Sequence, residues 1–131
     1  CRGSYTLYDN NDMFADIASG SCKNGGMVIV PCSMKTLSSV AHGASGSLLE
    51  RAADVMLKER RPLILAVRET PLSLIHLRNM TSAAEAGAVI LPAAPGFYHG
   101  PDSIERLADF ITGKILDQLG IEHKLATEWV K

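Results

Sequence analysis

The sequence predicts an α/β fold built on a parallel sheet, and three observations carry that reading. Three short apolar runs, Met27–Val30, Leu63–Val67 and Ala88–Leu91, are each bounded by Gly, Pro or charged residues. Runs of this length, continuous and rich in Val, Ile and Leu, suit strands buried on both faces. Helical stretches follow them: Leu37–Ala41, Ser47–Arg60, Leu72–Ala86 and a last helix opening at Asp102 or Ser103 and ending at Leu119. Strands alternating with helices form parallel pairs with right-handed crossovers. The unusual polar residues also gather where the runs end, at Pro31–Thr36, Arg68–Glu69 and Pro92–Tyr98. In open parallel sheets that carboxyl edge is where ligands bind.

Composition bounds the rest. A chain of 131 residues reads as one domain, residues 1–131, large enough for its own core. With 47% hydrophobic and 21% charged residues it is globular, and no apolar run approaches membrane-spanning length. A net charge of −1 gives no electrostatic reason to expect nucleic acid or an anionic membrane as partner. Cys1, Cys22 and Cys32 have no metal-ligand spacing, and their odd number does not suit a disulfide framework, so a reducing cytoplasm is expected. Neither a signal peptide nor an initiator Met is present.

Taken in order, Cys1–Asn11 lacks periodicity. Asp12 can cap a short helix over Met13–Ala18 that sets Phe14 and Ile17 on one face, and Ser19–Gly26 reads as a loop. The first strand stops at Pro31. The small polar turn after it opens the helix that ends at Gly43. Free N–H groups and a partial positive charge at a helix start suit an anion, although by spacing alone Ser33 and Thr36 read simply as caps. His42–Gly46 is glycine-rich but lies between two helices, so it reads as a connection and not as a phosphate loop. Ser47 and Glu50 form a capping box for the next helix, whose apolar face is Leu48, Leu49, Ala52, Val55, Met56 and Leu57. Arg51 and Lys58, seven residues apart, point the same way and could share an anion; solvated flank charges are the plainer reading. Arg61-Pro62 ends that helix, and Gly87 and Gly120 end the two that follow.

The runs PCSMKTL, ERAADVMLKERRPLILAVRETPLS, HLRNM and GAVILPAAPGFYH closely resemble the UbiX-type flavin prenyltransferases, long described as aromatic-acid or 3-polyprenyl-4-hydroxybenzoate decarboxylases. The resemblance covers Phe14 to Trp129. It implies a flavodoxin-like or Rossmann-like three-layer fold, FMN as cofactor, and homo-oligomers, usually dodecamers. It also implies an activity that joins the dimethylallyl group of dimethylallyl phosphate to reduced FMN, for use by a UbiD-type decarboxylase. By the same resemblance Ser33, Met34, Lys35 and Thr36 form the FMN-binding turn, Lys35 mainly through its backbone, and Arg68 is another flavin contact. Glu69 takes the place of the acidic residue that handles a proton during the second carbon–carbon bond formation. Arg51, Lys58, Tyr98 and Lys114 match the set that holds the prenyl phosphate; Lys114 stands where the family often has Arg, which keeps the charge but loses the bidentate fork. Trp129 resembles an aromatic that closes the site from a neighbouring subunit. No metal is implied.

The family opens with a strand, a GASG-type loop over the flavin phosphate and a helix, so the sheet of this chain is expected to lack that first strand and Gly-rich loop. Flavin-dependent cysteine decarboxylases share the fold, but their PASANT-like turn and Pro-x-Met-Asn-x-x-Met-Trp clamp do not occur here. A non-catalytic flavin carrier subunit is the reading from a different class.

Overall fold

The computed structural model describes residues 4–98 and 100–125. The elements are β1 (Met27–Cys32), α1 (Met34–Ala41), α2 (Leu48–Lys58), β2 (Leu63–Val67), α3 (Leu74–Glu85), β3 (Val89–Pro92) and α4 (Ile104–Gln118). The strands form one parallel sheet in the order β1-β2-β3. Met27 pairs with Leu63, Cys32 with Val67, and Val67 with Pro92, so the strands end level at their carboxyl edge.

All five residues of β2 are buried, as a continuous apolar run in a central strand requires. Their alternation divides them between two cores. Leu63, Leu65 and Val67 join Leu37 and Val40 of α1, Ala53, Val55 and Met56 of α2, and Ala83 of α3. Ile64 and Ala66 face the other way, onto Ile115 of α4 with Ile111 and Leu119 beside it. Helices α1, α2 and α3 thus lie on one face and α4 on the other. Fully burying a Leu or Ile side chain contributes about 1.5–3 kcal/mol, so Leu63, Ile64 and Leu65, none of them exposed, anchor both layers.

Every α-helix opens on a serine. Ser33, Ser47, Ser73 and Ser103 accept the N–H of Thr36, Glu50, His76 and Arg106 respectively. Each such cap is worth about 1 kcal/mol. Asn10 adds to the α2 start: Leu48 N–H donates to its carbonyl at 2.8 Å and Leu49 N–H to its Oδ1 at 3.0 Å. With Ser47 taking the next two donors, the α2 amino terminus has no N–H left for an anion.

Several elements differ from the sequence expectation. In place of a helix over Met13–Ala18 there is a 3₁₀ turn, Asp16–Ala18. Asp12 Oδ1 accepts Phe14 N–H at 3.1 Å, and Phe14 is 98% exposed while Ala15 is the segment's buried residue; six residues with so little apolar surface packed do not sustain a helix. Strand β1 runs through Pro31 to Cys32, its register shifting between Ile29 and Cys32, where proline offers no N–H. Helix α1 begins at Met34 because Ser33 itself is the cap. Helix α3 starts at Leu74, leaving Leu72 outside, for the same reason. Glu50 reaches back one residue further than a capping box, to Gly46 N–H at 2.9 Å. Among the described residues no helix is long and apolar enough to cross a membrane.

Candidate functional site

The carboxyl edge assembles the first group of expected residues. Since Cys32, Val67 and Pro92 are paired in register, Ser33, Arg68 and Ala93 follow one another across the edge. Adjacent strands stand about 4.8 Å apart, so the edge is about 10 Å wide. Ala93 N–H donates to Val67 O at 2.8 Å and prolongs the ladder past the last pair. Ser33 Oγ accepts Thr36 N–H at 3.2 Å and lies 3.1 Å from Thr36 Oγ1, which packs two hydroxyls into one turn. Met34 turns into the core against α1's own apolar partners. The Lys35 ammonium is directed at Glu50, 3.6 Å from Oε1, and not along the edge. Arg68 and Glu69 are both exposed at the tip of β2, and Glu69 Oε1 accepts Thr70 N–H at 3.2 Å. Cys32, just before the turn, is held inert: burial pushes its thiol up to about 11, so it is no nucleophile at neutral pH.

The second group lies elsewhere. Arg51 and Lys58 do share a side of α2, about 10 Å apart along the helix. They border one cavity of about 510 Å³ with Ala18, Ser19, Gly20, Ser21 and Glu59. Arg51 Nε donates to Ala18 O at 3.1 Å and its guanidinium to Asp54 Oδ2 at 3.0 Å, while Lys58 pairs with Glu59. Gly20 lies against this pair, and a Cβ there would crowd the Glu59 carboxylate and the Lys58 ammonium. Lys58 also borders a cavity lined by Pro62, Gly87 and Val89, at the amino ends of the strands. This pair is therefore turned away from Arg68 and Glu69 of its own chain.

The third group is on the opposite face. Tyr98 packs edge-on against Phe110 of α4, with ring centroids 6.3 Å apart at 85°, a favourable aromatic geometry. Gly96 permits it, since a Cβ there would meet the Tyr98 ring at 2.5 Å. Lys114 lies one turn beyond Phe110 on the same side of α4. Its ammonium is 3.6 Å from Asp117 Oδ2. Asp117 Oδ1 takes a hydrogen bond from His123 Nε2 at 2.9 Å, while His123 Nδ1 accepts Leu125 N–H. The His123 bond above all, with the nearby Lys114 charge, holds the Asp117 carboxyl below its ordinary range.

Within one chain Arg51 and Lys58 thus lie apart from Tyr98 and Lys114. The sheet separates the α2 pair from the α4 pair. Trp129 lies outside the described residues. Sequence reasoning also missed what holds the cations in place: Asp54, the Ala18 carbonyl, Gly20 and the buried Glu50. Only Asp54 had a local signal, its i, i+3 spacing from Arg51.

Chemically, the edge offers two hydroxyls, an exposed guanidinium and an exposed carboxylate beside an apolar sheet. Those groups fit a flat, polar heteroaromatic ring. The flank cavities offer cations to a small anion.

Comparison with known proteins is in keeping with this arrangement. The Flavoprotein family profile matches residues 5–116. A protein named flavin prenyltransferase UbiX from Alkalihalophilus pseudofirmus is 58% identical over 127 residues, which is 97% of this chain and 64% of that one. The crystal structure of AnUbiX (PadA1) in complex with FMN and dimethylallyl pyrophosphate superposes with a TM-score of 0.92 at 49% identity, covering 95% of this chain and 66% of the other. A dodecameric FMN-dependent Ubix-like decarboxylase from Escherichia coli O157:H7 matches with a TM-score of 0.91 at 42% identity, covering 95% and 67%. The chain spans just under two thirds of the length of the curated relatives it matches.

Proposed function

The chain belongs to the Flavoprotein family and, within it, to the UbiX-type flavin prenyltransferases, and from that membership we propose that the intact protein joins the dimethylallyl group of dimethylallyl phosphate to reduced FMN, supplying prenylated flavin to a UbiD-type decarboxylase. The observation that carries the reading is the meeting of Ser33, Thr36, Arg68 and Glu69 at one level edge of the sheet. In this reading the Ser33–Thr36 turn, through hydroxyls and backbone N–H groups, and Arg68 hold the flavin. When bound, reduced FMN supplies the electron-rich ring to which the allyl group is joined. Glu69, at the tip of β2, takes the proton released there. As the allylic C–O bond breaks, the electron pair leaves on phosphate, and the cations stabilise that charge. Free thiols at Cys22 and Cys32 agree with a cytoplasmic setting.

The division of the cations gives this reading a second part. Arg51 and Lys58 face away from their own carboxyl edge, so in this proposal they complete the phosphate site of a second copy, whose Tyr98 and Lys114 approach from the other side. An assembly of this kind is supported by the exposed apolar side of α3, where Leu74 is 59% and Ile75 69% exposed, and by the dodecameric relative.

The test is turnover of dimethylallyl phosphate with reduced FMN by the intact protein, read as flavin gaining the mass of one prenyl group. Glu69→Gln is expected to bind FMN as wild type does while prenylation slows about 10²–10⁴-fold, the usual worth of a positioned acid–base group. A Glu69→Gln rate equal to wild type would remove Glu69 from the chemistry. No prenylated product from wild type, with carbon dioxide released from a carboxylic substrate instead, would turn the reading to a decarboxylase.

A further inference from the structure

Glu50 has no part in the chemistry proposed above, yet among the described residues it is the only buried carboxylate, 6% exposed. A carboxylate is costly to bury unless its oxygens are engaged. Those of Glu50 are. Oε2 accepts Gly46 N–H at 2.9 Å and Lys35 Nζ lies 3.6 Å from Oε1, with the Ser39 hydroxyl near enough to favour the charged form. Lys35 and Ser39 are one turn apart, so one side of α1 points at this single group. Gly46 belongs to the connection between α1 and α2, and Glu50 itself stands in the first turn of α2. One side chain therefore ties together two helices and the loop that joins them.

Apolar contacts hold α1 against the sheet through Leu37 and Val40. Such contacts accept small rotations and slides of a helix, because volume matters to them more than direction. Hydrogen bonds to a buried charge are directional and lose much when misaligned. The consequence is felt at the start of α1, where Ser33 caps the helix and the Ser33–Thr36 turn meets the carboxyl edge.

We propose that Glu50 is a positioning residue for the flavin site: by pairing with Lys35 of α1 while it holds Gly46 of the connection from its place on α2, it fixes where the Ser33–Thr36 turn stands on the edge. The inference rests on the flavin reading given above and assigns Glu50 a role in that same site. It is tested in the intact protein by measuring FMN affinity and thermal stability together. Glu50→Gln has the same size and still accepts from Gly46, but it no longer pairs with Lys35. Its FMN dissociation constant is expected to rise about ten-fold at temperatures where it is fully folded, and Lys35→Met added to it should raise the constant little further, as members of one network do. Lys35→Met by itself removes the ion pair while it leaves the backbone of the turn and the Glu50 carboxylate in place, and is expected to weaken FMN about three-fold; it keeps the test open should Glu50→Gln fail to fold. A lowered melting temperature with FMN bound as tightly as in wild type, while Ser33→Ala weakens it, would overturn the positioning role. Unchanged affinity in Ser33→Ala and Arg68→Ala as well would overturn the flavin reading, and this inference with it.

Discussion

The two faces of this sheet take side chains of the same kind and treat them differently. On one face α1, α2 and α3 close over Leu63, Leu65 and Val67, and a continuous core runs from Ile29 to Ala88. On the other, α4 is the one helix among the described residues that covers Ile64 and Ala66; Val28, Val89 and Leu91 are only partly buried, and Val30 is 59% exposed. The well-covered face also carries the buried charge, Glu50, that orders its helices. The thinly covered face carries Tyr98, which packs on half-buried Phe110 of α4, and Lys114, which pairs with exposed Asp117. Rigidity is thus concentrated behind the Ser33–Thr36 turn, while adaptable polar groups sit on the flank, a division common where a scaffold positions a site.

The sharpest way to break this comparison is to cut one residue from each face. Leu65→Ala, on the closed face, is expected to lower unfolding stability by about 2–5 kcal/mol. Ile111→Ala, half-buried on α4, should lower it by only about 1 kcal/mol, in proportion to the smaller area removed from water. Equal losses in urea unfolding would show the two faces to be equally packed.

Next in size is the Glu50 network. Glu50→Ala strands the Gly46 N–H and leaves Lys35 without its ion pair, at an expected cost of about 1–3 kcal/mol. The Ser39 hydrogen bond above all, with the Gly46 N–H and the Lys35 charge, holds the Glu50 carboxyl below its ordinary 4.5. For a carboxylate lowered in the folded state, the stabilisation is fully present above the unfolded value and is lost as pH falls through the folded one. Wild type should therefore lose stability faster than Glu50→Gln on acidification below pH 4.5. Parallel curves for the two proteins would mean that the charge of Glu50 is irrelevant to the closed face.

The smallest effect concerns the end of α2, where the cavity that touches both layers opens beside Arg60, Pro62, Val89 and Gln118. Arg60 has φ 54, in the left-handed region. Arg60 N–H donates to Leu57 O and Arg61 N–H to Met56 O, the pattern of a helix end that favours glycine at that position. Arg60→Gly should raise stability by about 0.5–1 kcal/mol, the relief of the strained backbone less the greater freedom of glycine in the unfolded chain. A lower melting temperature would instead show that the Arg60 side chain supports the junction of the two layers.

Local chemistry made much of the fold legible. The strand Leu63–Val67 has the bounds expected from its sequence, and each helix appears where a serine precedes a periodic stretch. The ladder of residues at the carboxyl edge follows from strands that end level. The Met13–Ala18 stretch misled because a favourable cap and two apolar residues describe a helix only if something covers them, and nothing covers Phe14.

By itself the sequence determined the three strands and the four α-helices to within a few residues, the Ser47 cap, and that Arg51 and Lys58 share one side of α2. These are properties of a single element, set by dihedral preference, periodicity and capping within a few residues. Only the tertiary structure decided on which face of the sheet each helix lies, and with it that Arg51 and Lys58 are separated from Tyr98 and Lys114 and that Glu50 is buried against α1. Periodicity gives a residue's angle about its own helix axis. What that angle meets depends on how the crossover connections carry each helix over the sheet, and that is settled by packing between segments far apart in the chain.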